Sequence, residues 1–261
     1  MKSSSSRRGL KTPDGLDQVY GVHALQSLLD RGEAPRELWV QQGAGSRLKE
    51  LITQAQAHGA RVKEQPRDLL DQLTQGAAHQ GVVAFCPPLT PEGEESLWLK
   101  LRAWPSNTPP LLLILDGVTD VHNFGACLRS ADAAGAHGVI VAKDKAAPLN
   151  ATVRKVACGA AEVVPVYQVT NLARTLAKLK DAGVWITGTA GEAGASVFDI
   201  DMTGPTALVM GAEGKGMRRL TREACDNLAK LPMAGEVSSL NVSVATGICL
   251  FEAVRQRQLA S

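Results

Sequence analysis

Three segments of the sequence combine residue types in ways that suit chemistry on a ligand. The first is Asp116-Gly117-Val118-Thr119-Asp120-Val121-His122-Asn123-Phe124-Gly125, continuing to Arg129. It runs from an apolar stretch into an Ala-rich helix, with an amide, a glycine and a guanidinium in fixed order. Asn123 is placed to cap that helix, and Arg129 lies well inside it. The second is Val209-Met210-Gly211-Ala212-Glu213-Gly214-Lys215-Gly216-Met217. Its glycines allow a ligand close to the backbone. The spacing is G-x-x-G-x-G, which is neither the dinucleotide fingerprint nor a P-loop, since Lys215 precedes Gly216 and not Ser or Thr. The third, Leu231-Pro232-Met233-Ala234-Gly235, leads through Ser238, Ser239, Leu240, Asn241 and Ser243 into a last helix, whose first amides can hold an anion. Taken singly, each segment also reads as plain structure: an Asn cap with a surface arginine, a flexible turn, a Ser cap.

Other chemistries lack their residues. Cys86, Cys127, Cys158, Cys225 and Cys249 include no C-x-x-C pair and have no histidine cluster beside them. An odd count at wide spacing predicts neither a disulfide framework nor a metal site, but small buried hydrophobes in a reducing compartment. No apolar run approaches the ~20 residues of a membrane span. The 28 basic and 26 acidic residues give a net charge of +2. That total conceals an asymmetry, because Lys2, Arg7, Arg8 and Lys11 come before any acid and leave 24 basic against 26 acidic residues behind them. Local patches therefore decide the question of nucleic-acid binding. Lys215, Arg218, Arg219 and Arg222 form one patch beside the glycine loop, and Arg154 with Lys155 a smaller one.

The elements that must position these segments alternate along the chain. Residues 1–17 read as a basic, flexible tail. Prolines set the main boundary: six of 13 fall within residues 87–110, which predicts a linker carrying at most a short helix over Glu94–Trp104. Before it, residues 18–86 read as a small α/β domain with helices Val22–Leu29, Ser46–Ala57 and Arg67–Leu73 and strands Glu37–Val40, Arg61–Glu64 and Val82–Phe85. After it, residues 111–258 alternate strand and helix. Leu111–Leu115 is a continuous apolar run, the mark of a strand buried on both faces. Strands follow at Gly138–Val141, Val163–Val166, Val184–Thr187, Ala207–Met210 and Leu228–Pro232. The helices are one from about Asn123, then Leu149–Cys158, Leu172–Asp181, Arg218–Asn227 and Leu240–Gln256. This pattern predicts a parallel sheet covered on both sides, with ligands at the carboxyl ends of its strands. On the last helix Val244, Ile248, Phe251 and Val254 form one stripe, suited to a core or to an interface.

Together the segments resemble the three motifs of the SpoU family of RNA ribose 2′-O-methyltransferases, within the SPOUT superfamily. The first motif is carried by Asn123, Gly125 and Arg129. The second is carried by Gly211, Glu213, Gly214 and Gly216, and the third by Pro232, Met233, Gly235, Ser239, Leu240, Asn241, Ser243 and Ala245. The N-terminal domain resembles the L30e-like RNA-binding domain of one bacterial subgroup, which acts on a guanosine of 23S ribosomal RNA. The departures are mild: Leu231 where Ile is usual, and the basic tail. The resemblance implies an α/β SPOUT domain whose C-terminal segment is threaded into a deep trefoil knot. It implies S-adenosylmethionine as co-substrate, with Gly211 at the edge of its pocket and backbone contacts to the adenine from Leu231 and Met233. Leu240 would add apolar lining and Thr189 and Gly191 a further wall. Asn123, Arg129, Glu213, Ser239 and Asn241 would be the catalytic set, with no metal. Arg129 would orient the acceptor and stabilise developing negative charge, since a guanidinium is a very weak base. The resemblance further implies a cytoplasmic homodimer, completed by the knot helices, acting on 23S ribosomal RNA or a ribosomal precursor. A transfer RNA is the alternative substrate. A nicotinamide-dependent Rossmann enzyme is disfavoured by the glycine spacing, and a non-catalytic RNA-binding protein by the complete set of motif residues.

Overall fold

A computed structural model of the protein describes residues 13–43, 45–105 and 107–260. The basic residues of the expected tail, Lys2 to Lys11, lie outside the described residues. The chain divides into two compact units between Pro88 and Leu89.

The first unit contains β1 (Asp17–Tyr20), α1 (Val22–Asp30), β2 (Glu37–Gln41), α2 (Ser46–Ala57), β3 (Arg61–Gln65), α3 (Arg67–Leu73) and β4 (Val82–Cys86). Its sheet runs β1-β4-β2-β3, with β4 antiparallel to both neighbours and β2 parallel to β3. Because side chains alternate across a strand, β4 feeds two cores. Val82 and Ala84 pack with Leu25, Leu28 and Leu38, while Val83 and Phe85 pack with Trp39 and Leu70. Trp39 meets Phe85 edge to face with ring centroids 5.0 Å apart. β1 has no counterpart in the sequence reading. Only four residues long, it gives almost no period to detect, and it starts at Asp17, inside the expected tail.

The second unit contains β5 (Glu92–Gly93), α4 (Glu94–Arg102), β6 (Leu111–Asp116), α5 (Val121–Ala133), β7 (Gly138–Ala142), α6 (Ala151–Val156), α7 (Ala160–Val163), β8 (Val166–Val169) and α8 (Leu172–Asp181). It continues with β9 (Trp185–Thr189), β10 (Ala195–Ser196), β11 (Thr206–Gly211), α9 (Arg219–Glu223), β12 (Asn227–Lys230) and α10 (Val242–Ala260). The sheet order is β10-β12-β9-β11-β6-β7-β8-β5, and every pairing is parallel. On β6, Leu111, Leu113 and Leu115 face the core beneath α5, α6, α7 and α10, while Leu112 and Ile114 face the core beneath α4 and α8. The chain moves outward from β6 through β7 to β8, then jumps across the sheet to β9. The reversal leaves a crevice at the carboxyl ends of β6, β11 and β9, the place where open α/β sheets hold ligands.

Several expectations need correction. The helix expected over Glu94–Trp104 is present as α4, but the stretch is no linker: with β5 it belongs to the second unit, where β5 pairs with β8 and Leu97 is fully buried. The strand expected at Val163–Val166 begins at Val166, because Pro165 has no N–H for the ladder and Val163 closes α7. The helix expected over Leu149–Cys158 stops at Val156, since Cys158 and Gly159 adopt left-handed φ values of +53° and +98°. α9 ends early because the Asp226 backbone and carboxyl both bond the backbone of Ile186. Arg154 is no surface cation: it is buried and paired, in fork geometry, with the equally buried Glu162. Of the α10 stripe, read as suited to a core or an interface, Val254 packs against the core while Val244, Ile248 and Phe251 are 51%, 36% and 49% exposed; the helix buries Val242, Cys249, Leu250 and Ala253.

At the far end of the sheet α10 is tied down by polar contacts. The Arg257 guanidinium donates to the carbonyls of Met202, Pro109, Pro110 and Gly204 at 2.8–3.1 Å. Nearby, the Leu111 amide donates to His137 Nδ1 at 2.9 Å, and Trp104 packs edge-on to the imidazole. Burial, aided by the charge of Arg257, holds the His137 pKa below its ordinary 6.5. The unfolded chain therefore takes up a proton that the folded chain refuses, so this contribution to stability is intact above pH 6.5 and lost as the pH falls below it. We expect the urea midpoint of the protein to fall more steeply between pH 7 and pH 5 than that of His137→Gln. Parallel pH profiles of the two proteins would contradict this assignment.

Candidate active site

Three strand ends converge at the crevice. The turn after β6 is closed by Asp120, not Asn123: Asp120 Oδ1 accepts from the Asn123 amide at 2.8 Å and so caps α5. That frees the Asn123 side chain, one turn into the helix, to point across the crevice. Gly125 lets α6 lie directly on α5. A Cβ there would sit 2.7 Å from Val156 Cβ and 2.9 Å from the Val153 carbonyl oxygen.

The second strand end is the turn after β11, pinned by reciprocal hydrogen bonds between Ala212 and Gly216 at 3.1 and 2.8 Å. The returning backbone crosses so closely over Gly211 that an added Cβ would lie 2.3 Å from Gly216 C and Met217 N. Asp116, buried at the end of β6, fixes the far side of this turn. Its carboxyl accepts from the Arg218 amide at 2.8 Å and from Arg218 Nε at 2.5 Å.

Glu213 stands at the tip. Its Oε1 accepts from Asn241 Nδ2 at 2.6 Å, Val242 N at 3.2 Å and Asn123 Nδ2 at 3.3 Å. Asn241 Nδ2 also donates to Asn123 Oδ1 at 2.9 Å, and Asn241 Oδ1 accepts from Ser243 N and Oγ at 2.9 and 2.6 Å. One carboxylate oxygen thus ties together the starts of α5 and α10 and the β11 turn. Glu213 Oε2 makes no hydrogen bond among the described residues.

Behind this network opens a cavity of about 790 Å³. Thr189, Gly191, Gly211, Leu231, Met233 and Leu240, the six residues expected to hold a ligand, all line it, together with Glu213, Ser239 and Asn241. The Ser239 hydroxyl makes no hydrogen bond among the described residues, so the network expected to include it closes through Ser243. Arg129 is the residue the fold does not bring in. It lies six positions beyond Asn123, on another face of α5, and its Nη1 reaches Cys158 Sγ at 3.7 Å. A second cavity, of about 480 Å³, adjoins the first and is lined by Asn123, Asp116 and Lys145 among others.

Asp116 and Lys145 were not singled out as site residues in the sequence, nor was the pairing of Arg222 with Glu192, the last residue of the turn expected as a wall. Asp116 carried a signal, an acid closing an otherwise apolar strand. Lys145 carried none. Of the basic patch, Arg218 is taken by Asp116, Arg219 by Glu223 and Arg222 by Glu192. Lys215 has no ionic partner among the described residues, and they contain no group of three or more metal-ligating side chains.

Residues 110–251, which contain every part of this site, match the model of the SpoU rRNA Methylase family. The chain belongs to the SpoU rRNA methylase family. Residues 18–92 match the model for RNA 2′-O ribose methyltransferase substrate binding. The chain is 57% identical over 246 residues to the 23S rRNA (guanosine-2′-O-)-methyltransferase RlmB of Pseudomonas putida, covering 94% of this chain and 98% of that one. It is 56% identical over 243 residues to RlmB of Escherichia coli K12, covering 92% and 99%. Among solved structures it is similar to the SpoU methyltransferase AviRb from Streptomyces viridochromogenes in complex with the cofactor AdoMet. That likeness has a TM-score of 0.75 and 28% identity, and covers 94% of this chain and 92% of that one.

The packing over Gly211 gives a direct test. Because backbone occupies the space, Gly211→Ala forces the turn to move, and overpacking of this kind costs about 1–3 kcal/mol. Denaturant midpoints should show that loss, while Gly191→Ala, open on all sides, should show little of it.

Proposed function

We propose that this SpoU family member transfers the methyl group of S-adenosylmethionine to the ribose 2′-hydroxyl of a guanosine in 23S ribosomal RNA. The observation that carries the reading is the pairing of the cavity with the relatives. All six expected ligand-holding residues line one cavity, in a chain that matches RlmB proteins over 92–94% of its length. About 790 Å³ suits a nucleoside-sized ligand. The carboxylate of Glu213 suits a cationic donor, and the backbone of 231–233 offers the polar edges an adenine needs.

When bound, S-adenosylmethionine supplies a methyl group already activated on a sulfonium. The chain's task is then to align the acceptor and manage its proton. Glu213, held by three donors on Oε1, keeps Oε2 available to accept a hydrogen bond from the acceptor ribose. Asn123 and Asn241 fix that carboxylate. Arg129 stabilises the charge that develops on the 2′-oxygen as its proton leaves to solvent or to a neighbouring acceptor.

Arg129 does this from a second copy of the chain. It lines neither cavity of its own chain, and the exposed Val244, Ile248 and Phe251 give α10 an apolar face that a partner would cover. A threaded C-terminal segment is supported by the return of the chain from β12, beside β9, to α10, packed on α5. The unit containing residues 18–86 grips the RNA, in keeping with the substrate-binding model it matches. The protein works in the cytoplasm, a compartment that suits five cysteines outside any disulfide, and no helix among the described residues is long and apolar enough to cross a membrane.

Purified protein should transfer label from S-adenosylmethionine to unmodified 23S ribosomal RNA at one guanosine ribose. Transfer to transfer RNA alone would overturn the substrate assignment. Arg129→Ala should lower turnover by about 10²–10³-fold with cofactor affinity nearly intact. Mixing Arg129→Ala with Asn241→Ala protein should restore part of the activity, since mixed dimers regain one complete site. Phe251→Glu should yield monomers that still fold but do not turn over.

A further inference from the structure

The second cavity has an owner in the methyl-transfer reading, and its charges say what it holds. Ala212, Glu213 and Gly216 line both cavities, so a group in the second lies against the same carboxylate as the donor. The outer wall is Thr119, Asp120, Asn123 and Lys145. Most of its charges are already engaged. Asp116 is closed off by the amide and guanidinium of Arg218, and Asp120 Oδ1 caps α5. Lys145 is exposed, with no hydrogen bond or ion pair among the described residues. Its backbone lies in the left-handed region at φ +59°, where a Cβ is penalised and glycine is not. Strain of this kind gathers at ligand clamps. Lys215, also without an ionic partner among the described residues, lines both cavities, whereas Lys145 lines the second alone; together they give an anion an ammonium side opposite the carboxylate of Glu213.

We propose that the second cavity receives the acceptor strand of the RNA and that Lys145 holds a phosphate of that strand. The proposal rests on the methyl-transfer reading above. The lysine would fix the strand so that its 2′-hydroxyl lies at Glu213, between the two cavities. It acts on positioning and takes no part in the bond exchange.

The test is binding of a 23S ribosomal RNA transcript to the whole protein across a potassium chloride titration, for the wild type and for Lys145→Ala, Lys145→Arg and Lys145→Gly. Lys145→Ala should weaken binding several-fold and reduce the slope of log affinity against log salt by about 0.7–0.9, the share of one phosphate contact. Lys145→Arg should restore both. Lys145→Gly should lose binding as Ala does, yet raise the melting temperature, because glycine is at ease at this φ. Affinity for S-adenosylmethionine should stay constant throughout. A wild-type salt slope in Lys145→Ala overturns the proposal, and so does a loss that Lys145→Arg shares. If the wild type transfers no methyl group to the transcript, the functional reading itself has failed. If it does, and Lys145→Ala binds RNA as tightly as the wild type, only this proposal has.

Discussion

A single oxygen, Glu213 Oε1, is the point on which the site depends. It draws N–H groups from two helix starts that are far apart in sequence, Asn123 near one and Asn241 and Val242 at the other. A charged acceptor strengthens each of these bonds, and together they hold elements that no shared apolar contact would place to a fraction of an ångström. The supports are layered behind it. The reciprocal bonds of Ala212 and Gly216 fix the turn that carries Glu213, the close approach over Gly211 fixes its height, and the buried Asp116 fixes its far end through Arg218. The floor of the donor cavity and the geometry of the carboxylate are thus set by the same few atoms.

Charge follows a similar economy. The net +2 hides a body in which most cations beside the site are already matched. Arg218, Arg219 and Arg222 each meet an acid, and Arg154 is buried on Glu162. Such a surface holds nucleic acid weakly when binding is nonspecific, because few phosphates can be neutralised at once. Discrimination then falls to the shape of the crevice and to a small number of unmatched groups.

Much of this was legible in the sequence. The apolar run at Leu111–Leu115 announced the central strand, and the three polar segments announced which strand ends matter. All six expected lining residues meet in one cavity. What escaped has definite physical causes. Asp120 and Asn123 are both good helix caps, and only the path of the turn decides between them. An apolar run such as Val163–Val166 fits helix or strand until Pro165 is seen to lack a partner for the ladder. The stripe on α10 has the period of a buried face, and periodicity alone does not say what lies opposite. Arg129 was grouped with Asn123 by motif order, but six residues of α-helix turn the two side chains apart. Lys145 offered nothing to read, because its left-handed φ and its place on the second cavity are set by the fold.

The arrangement of α10 has a consequence for the birth of the protein. Its first residues supply two of the three donors to Glu213, and its last turns lock onto the sheet through Gln256 and Arg257. Nearly the whole chain must therefore leave the ribosome before the carboxylate is held in place. A nascent or prematurely terminated chain has its first unit and most of its sheet, but lacks the donors that hold Glu213.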